Sequence, residues 1–489
     1  MSAPVELTKI TKDSGAVTKR VHLNPDGSIG NDSSRCAIGK GRMTRLHLPD
    51  WRDFKEMLEA TPRNTAYALG ALRPGLPDSV QLVRKRDPQS AQPGVATRTA
   101  DAILYREKCP GFALLDFDTK GMPPGVKTRL QDLGGFRGAL GRVCPGFAAA
   151  GHIRRRSTSA GVINELTGES YQSDGQHLYV LVRDGAAAQR FLYALHDRCW
   201  LAGLGWHIVG QAGQLLERSI VDRAVCAPER LVFEASPDLE PPLKQEKREA
   251  TVHDGAPLDT MAACADLNAG EQAELQRLQA AAAKVLGKEA ESARKAFVTE
   301  HVEKAIGRGM DPDKARTMAE QWGKSILRPG VILEFDDLGA IPVADILADP
   351  GRFDGETLAD PIEGIGYGRN CAIVQVRDGI PSIFSFAHGG AIYKLRHDFE
   401  SVEAAILAAS GAEAAHVYSR MVFAADLDPV EKKLLAKLAA KRSGAGARRR
   451  GSRTAREAEG ERQWHRAGGA RQRKARHQNR ARRDPPHCR

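Results

Sequence analysis

Residues Phe112-Ala113-Leu114-Leu115-Asp116-Phe117-Asp118 constrain the chain most. An apolar run enters an Asp-Phe-Asp, and Thr119-Lys120-Gly121-Met122-Pro123-Pro124 follows at once as a breaker. The pattern predicts a buried strand with carboxylates at its C-terminal end. Side chains alternate along a strand, so Asp116 and Asp118 share one face, their Cα atoms roughly 7 Å apart. Leu115 and Phe117 point the other way, into a core. Two anions this close repel and are costly to desolvate, and a divalent metal relieves both problems. The plainer reading is a strand that ends in a polar turn. Partners downstream decide between the two.

The chain has 489 residues, enough for two or three domains. No apolar run reaches the length of a membrane span, and Met1 to Glu6 lacks a signal pattern. The expectation is a cytoplasmic protein with no membrane partner. Eight scattered cysteines without a Cys-x-x-Cys argue against a zinc ribbon and suit reduced thiols. The net charge of +11 misleads, because residues 441–489 hold 17 of the 72 Lys/Arg and 4 of the 61 Asp/Glu. That leaves 55 basic and 57 acidic residues in 1–440. A nucleic-acid groove must then come from local clustering.

In chain order, strand-like pieces at 17–23, 66–73 and 79–83 surround a helix begun by Asp50 and ended by Pro62. Thr99 to Tyr105 reads as a short helix. Thr128 to Leu140 reads as an amphipathic helix broken at Gly134-Gly135. Arg154-Arg155-Arg156-Ser157-Thr158-Ser159-Ala160-Gly161 reads as a basic loop, either solvated or holding phosphate. His177 leads the strand His177–Val182 and shares a face with Tyr179 and Leu181. A helix after Asp184-Gly185 buries Phe191, Leu192, Leu195 and Cys199 and stops at Gly203. His196 on it reads as a surface or packing residue. Trp206–Val209 is a strand, and a second apolar run ends in Ile220-Val221-Asp222. Leu231–Ala235 reads as a further strand. As turn former or as partner of Arg218 or Arg223, Asp222 also has a purely structural reading.

Composition sets the boundaries at 1–240, a linker and helical segment at 241–330, and a small α+β domain with a β-hairpin at 331–425. A short helix and a disordered Arg-rich tail fill 426–489. His388, in a Gly-rich turn, reads as shaping that turn rather than touching nucleic acid. The tail's Arg/Ala/Gly mixture suits a basic nucleic-acid arm. It equally suits out-of-frame translation of GC-rich DNA, which we favour because Leu435 to Arg442 breaks off mid-pattern. Deleting 445–489 is expected to leave the melting temperature of the remainder unchanged, and a clear drop would show that the tail docks.

Taken together, Leu114 to Asp118, Gly175-Gln176-His177 and Ile220-Val221-Asp222 resemble the three motifs of the archaeo-eukaryotic primase superfamily. That superfamily includes primase-polymerases of phages, plasmids and integrated elements. The resemblance covers roughly half of the chain. It implies an α+β fold with an RRM-like sheet and a nucleotidyl transferase, a DNA primase or DNA-directed polymerase. Asp116, Asp118 and Asp222 would be catalytic and hold two Mg²⁺ or Mn²⁺ ions. His177 would contact the incoming nucleotide's phosphates beside Gly175. Arg156, Ser157 and Ser159 are further candidates for phosphate contact. The partners implied are a single-stranded or primed DNA template, nucleoside triphosphates and a separate helicase, since no Gly-x-x-x-x-Gly-Lys-Ser/Thr occurs. Together with the tail, this suggests a truncated or frameshifted copy. A metal-dependent nuclease and a non-catalytic DNA-binding replication protein are the alternatives. A rolling-circle initiator is disfavoured by the lack of a His-x-His.

Overall fold

The computed structural model describes residues 3–84, 87–171, 175–387, 391–411 and 413–443. His388 and the tail beyond residue 443 lie outside these described residues. The chain is α+β and divides into two compact units between Arg396 and His397.

The first unit is built around a four-stranded antiparallel sheet in the order Gly111–Phe117, Gln176–Val182, His152–Arg156, Ala250–His253. Period-two alternation gives this sheet two apolar faces. Leu115, Phe117, Leu178 and Val180 meet Phe136, Leu140, Phe191 and Leu195 on the helices Gly135–Val143 and Ala188–Leu201. Phe112, Leu114, Ile153, Tyr179 and Leu181 face the N-terminal region, against Leu7, Phe54, Leu58 and Tyr67. Phe54 stacks on Phe112 at 5.2 Å and meets Tyr179 edge-on at 5.3 Å between ring centres. Burying a side chain such as Phe112 stabilises the fold by about 1.5–3 kcal/mol. The central strand is therefore clamped from both sides up to Phe117, and Asp118 emerges exposed. A five-stranded N-terminal sheet, ordered Thr65–Ala68, Val5–Lys12, Gly41–Leu48, Ser79–Leu82, Val95–Ala96, carries part of the second face.

Helix Ala188–Leu201 follows its sequence signals closely. The Asp184 side chain accepts from the Ala186 amide at 3.1 Å, the predicted stripe is buried, and Gly203 takes φ +75°. The expected helix broken at Gly134 is two helices, Pro124–Asp132 and Gly135–Val143.

Three local expectations are corrected. Thr99 to Tyr105 is a turn followed by the two-residue strand Ile103–Leu104, because Ile103 is drawn fully into the core and pairs with Leu72. The arginine run is no loop: Arg154, Arg155 and Arg156 lie in the strand His152–Arg156. Leu231–Ala235 makes only one bridge, Val232 with Tyr67. Two guanidiniums rather than a neighbouring strand occupy the Glu234 carbonyl, Arg155 Nη1 at 3.1 Å and Arg248 Nη2 at 2.8 Å.

The sheet continues past residue 240, where composition suggests a boundary, because Ala250–His253 forms its edge beside His152–Arg156. Helices Ala269–Val285, Gly287–Gly307 and Pro312–Trp322 follow, the last capped by Asp311 with Pro312 in its first turn. A seven-stranded sheet then runs Ile326–Leu327, Ala391–Leu395, Ile380–Ser385, Ala372–Arg377, Thr357–Leu358, Ile332–Phe335, Gly339–Pro342. Its predicted hairpin turns at Asp378 (φ +53°) and Gly379 (φ +78°), the left-handed pair that matches strand twist. Helix Phe399–Ala408 belongs to the second unit. Its buried Val402 and Ile406 meet Ala414, Leu435 and Ala439 of the helices Ala414–Met421 and Pro429–Arg442. Among the described residues, no helix is long and apolar enough to cross a membrane.

Candidate active site

The register of the central sheet places Asp116 opposite His177, and His177 opposite Arg155. Paired residues share a face, so these three form one row across three strands. The row before it is apolar: Leu114, Tyr179 and Ile153. The N-terminal apolar face thus ends in a polar row, at the edge where the central strand stops.

Asp222 reaches the same place from another direction. The strand Leu215–Ser219 pairs with Gly205–Val209, and Ile220 and Val221 then sink fully into the core. These two apolar anchors fix Asp222, whose amide donates to the Asp116 carbonyl at 3.1 Å. Asp116, Asp118 and Asp222 line one pocket together with Lys120, His196, Glu217, Arg218 and Arg223. Asp222 also caps a short 3-10 turn, accepting from the Ala224 amide at 2.8 Å, and Asp118 accepts from the Lys120 amide at 2.9 Å. Arg223 donates to Glu217 at 3.0 Å and not to Asp222. The turn-forming role of Asp222 is therefore real and coexists with its place beside Asp116.

Electrostatics marks the pocket. The Asp116 carboxyl is held above its ordinary range, first by burial, then by the Asp222 and Asp118 anions, while His177 opposes the rise. A carboxyl crowded in this way favours a proton or another cation. Three aspartates are the hard oxygen donors that Mg²⁺ and Mn²⁺ take, so the donor set fits the ions that the resemblance implies. Among the described residues, no group of three or more His, Cys, Asp or Glu side chains is gathered closely enough to hold an ion in this arrangement.

His177 sits between two acids. Its Nε2 is 3.8 Å from Asp116 Oδ1, and its Nδ1 is hydrogen-bonded to Glu234 Oε1. Glu234 is fully buried. It accepts from the Tyr179 hydroxyl at 2.6 Å and from Arg155 Nη1 at 2.8 Å, and Arg248 Nη1 lies 3.6 Å away. Burial alone would raise the Glu234 carboxyl, but His177, Arg155 and Tyr179 outweigh it and hold the group down at about 2. Burial lowers His177, and Glu234 and Asp116 more than restore it, so its pKa ends above the ordinary value.

The sign of the Glu234 shift gives a testable pH dependence. A depressed carboxyl stabilises the fold above its unfolded pKa of 4.5, and this contribution is lost as pH falls through the folded value of about 2. A displacement of that size corresponds to about 3 kcal/mol. The melting-temperature gap between wild type and Glu234→Gln is expected to be large near pH 6 and to shrink steadily below pH 4.5. A gap independent of pH would show that Glu234 is not ionised in the fold.

Of the other predicted residues, Gly175 precedes the His177 strand, and its carbonyl accepts from the Ser157 amide at 2.9 Å. Arg156 lies one register step beyond the His177 row, opposite Gln176, and pairs with Glu246 at 2.7 Å. Ser157 is buried and Ser159 half-buried in the turn after that strand. None of these four lines the acid pocket; Arg156 instead shares a separate cleft with Arg154, Gly175, Gln176 and Lys247. His196 is buried as a packing residue, 3.0 Å from the Ser219 hydroxyl, yet it borders the acid pocket. Sequence reading missed Glu234, Arg155 and Arg248 as site components. A signal existed for Arg155: as a strand, Ile153-Arg154-Arg155 puts Arg155 on the apolar residue's face.

No protein-family profile, curated protein or solved structure matches this chain.

Proposed function

We propose that this chain is a template-directed nucleotidyl transferase of the primase-polymerase kind, serving replication of a mobile element. It would take nucleoside triphosphates and a single-stranded or primed DNA template. The observation that carries the reading is the meeting of three distant motifs at Asp116: Asp118 and Asp222 line one pocket with it, the Asp222 amide donates to its carbonyl, and His177 Nε2 lies 3.8 Å from its carboxylate. The antiparallel sheet backed by helices is read as the RRM-like unit of that superfamily. Asp116, Asp118 and Asp222 would hold the two Mg²⁺ or Mn²⁺ ions. When bound, such ions acidify an attacking 3′-hydroxyl and neutralise triphosphate charge. As an imidazolium, the form its raised pKa favours, His177 carries a proton on each nitrogen, and Nε2–H beside Asp116 can donate to a phosphate oxygen. Lys120, Arg218 and Arg223 on the pocket wall add positive charge that suits a polyanion.

The test is the full chain incubated with primed single-stranded DNA, labelled nucleotides and Mn²⁺. Primer extension that depends on the template is the expected result. Cutting of the DNA without incorporation would replace this reading by a nuclease, and DNA binding without either would leave a scaffold.

A further inference from the structure

We infer that Glu234 is the positioning residue for His177, holding the ring so that Nε2 faces the Asp116 carboxylate. The inference rests on the proposed reaction for what His177 does there, but not for how the ring is held.

An ionised carboxylate only accepts hydrogen bonds, so the contact of Glu234 Oε1 with His177 Nδ1 requires the proton on Nδ1. The ring plane is thereby set, and Nε2 is the nitrogen left at 3.8 Å from Asp116. Glu234 is itself immobilised. Tyr179 and Arg155 donate to it, and Arg248 approaches the same oxygen as Arg155. Tyr179 and Arg155 come from the strands on which the site is built, whereas Glu234 comes from a segment with only one β-bridge. A carboxylate with 0% exposure is costly to bury, and a leucine would fill such a space at lower cost in desolvation. Placing an acceptor behind a histidine is how proteins fix which ring nitrogen is presented.

A structural ion pair would show the same contacts, so the test must separate positioning from stability. Nucleotide KM and kcat are measured for wild type, Glu234→Leu, His177→Ala and the double variant, using the four deoxynucleoside triphosphates, primed DNA and Mn²⁺; leucine, unlike glutamine, offers Nδ1 no acceptor. Loss of the Glu234 contact is expected to raise the nucleotide KM about tenfold, the low end of what losing an outer-shell partner costs. DNA affinity should be unchanged. In the His177→Ala background the same change should have no further effect, because there is no ring left to position. An equal effect in both backgrounds, or none in the wild-type background, overturns the inference.

Tyr179→Phe, which removes one donor and no charge, is the second variant should Glu234→Leu fail to fold. It should raise KM about two- to threefold, again only when His177 is present. Nitrogen-15 NMR of labelled histidine supplies an activity-independent readout. The Nδ1 proton of His177 should be protected and strongly hydrogen-bonded in wild type and lost in Glu234→Leu. If wild type incorporates no nucleotide, the proposed reaction is what fails. Persistence of that proton signal in Glu234→Leu would then overturn the positioning role by itself.

Discussion

Replacing Asp116 and Asp118 together by Asn is expected to abolish nucleotide incorporation, by at least about a thousandfold or ~4 kcal/mol in transition-state stabilisation. Each change keeps the side-chain volume and removes a charge that a divalent ion needs. The fold should survive. The Asp116 carboxyl is held above its ordinary range by burial and by its neighbouring anions. Such a group stabilises the fold only while it is protonated, and that contribution is lost as pH rises through its folded pKa. A charge on Asp116 therefore opposes folding, and an amide relieves it. The melting temperature should stay level or rise. DNA binding should persist with an unchanged salt dependence, because phosphate contacts depend on Lys and Arg. Full synthesis by the double variant, in protein free of host polymerase, would end the catalytic reading.

What could be read from sequence was what short-range periodicity encodes. Phe112 to Phe117 alternates between two apolar faces, and both cores exist where the alternation puts them. The stripe Phe191, Leu192, Leu195 and Cys199 and the Asp378-Gly379 turn are local in the same sense. Glu234 shows where such reading stops. Its segment has the β-rich pattern of a strand, yet its carbonyl is taken by guanidiniums 79 and 14 residues away. No local pattern announces such a partner. Similarly, Pro237 to Glu249 has the polar, proline-containing look of a linker, while Arg248 in it reaches the buried acid and the next four residues join the central sheet. For the site, two motifs were visible as apolar runs ending in acids and the third as Gly175-Gln176-His177 before a strand. Their meeting depends on the Asp222 amide finding the Asp116 carbonyl across 106 positions, which composition does not encode.

Arg155→Met is expected to destabilise the fold by about 3–5 kcal/mol, whereas Arg156→Met, one residue along, should cost less than about 1 kcal/mol. Both arginines lie on the same strand and both pair with a glutamate, so the contrast isolates burial. The Arg155 side chain is 4% exposed and its partner Glu234 0%, against 41% and 56% for Arg156 and Glu246. Arg155 also donates to the carbonyls of Leu58, Glu234 and Arg248. Methionine would fill much of the space but leave three buried acceptors short of a donor and Glu234 with one cation fewer. The exposed pair is screened by water and loses little when broken. Urea denaturation of the two single variants measures the difference directly. Arg155→Met combined with Glu234→Met should recover only part of the loss, since the buried anion is gone while Arg248 keeps its buried charge on the backbone carbonyls of Arg156 and of position 234. Equal destabilisation by the two single variants would show that the buried network around Glu234 does not hold the site together.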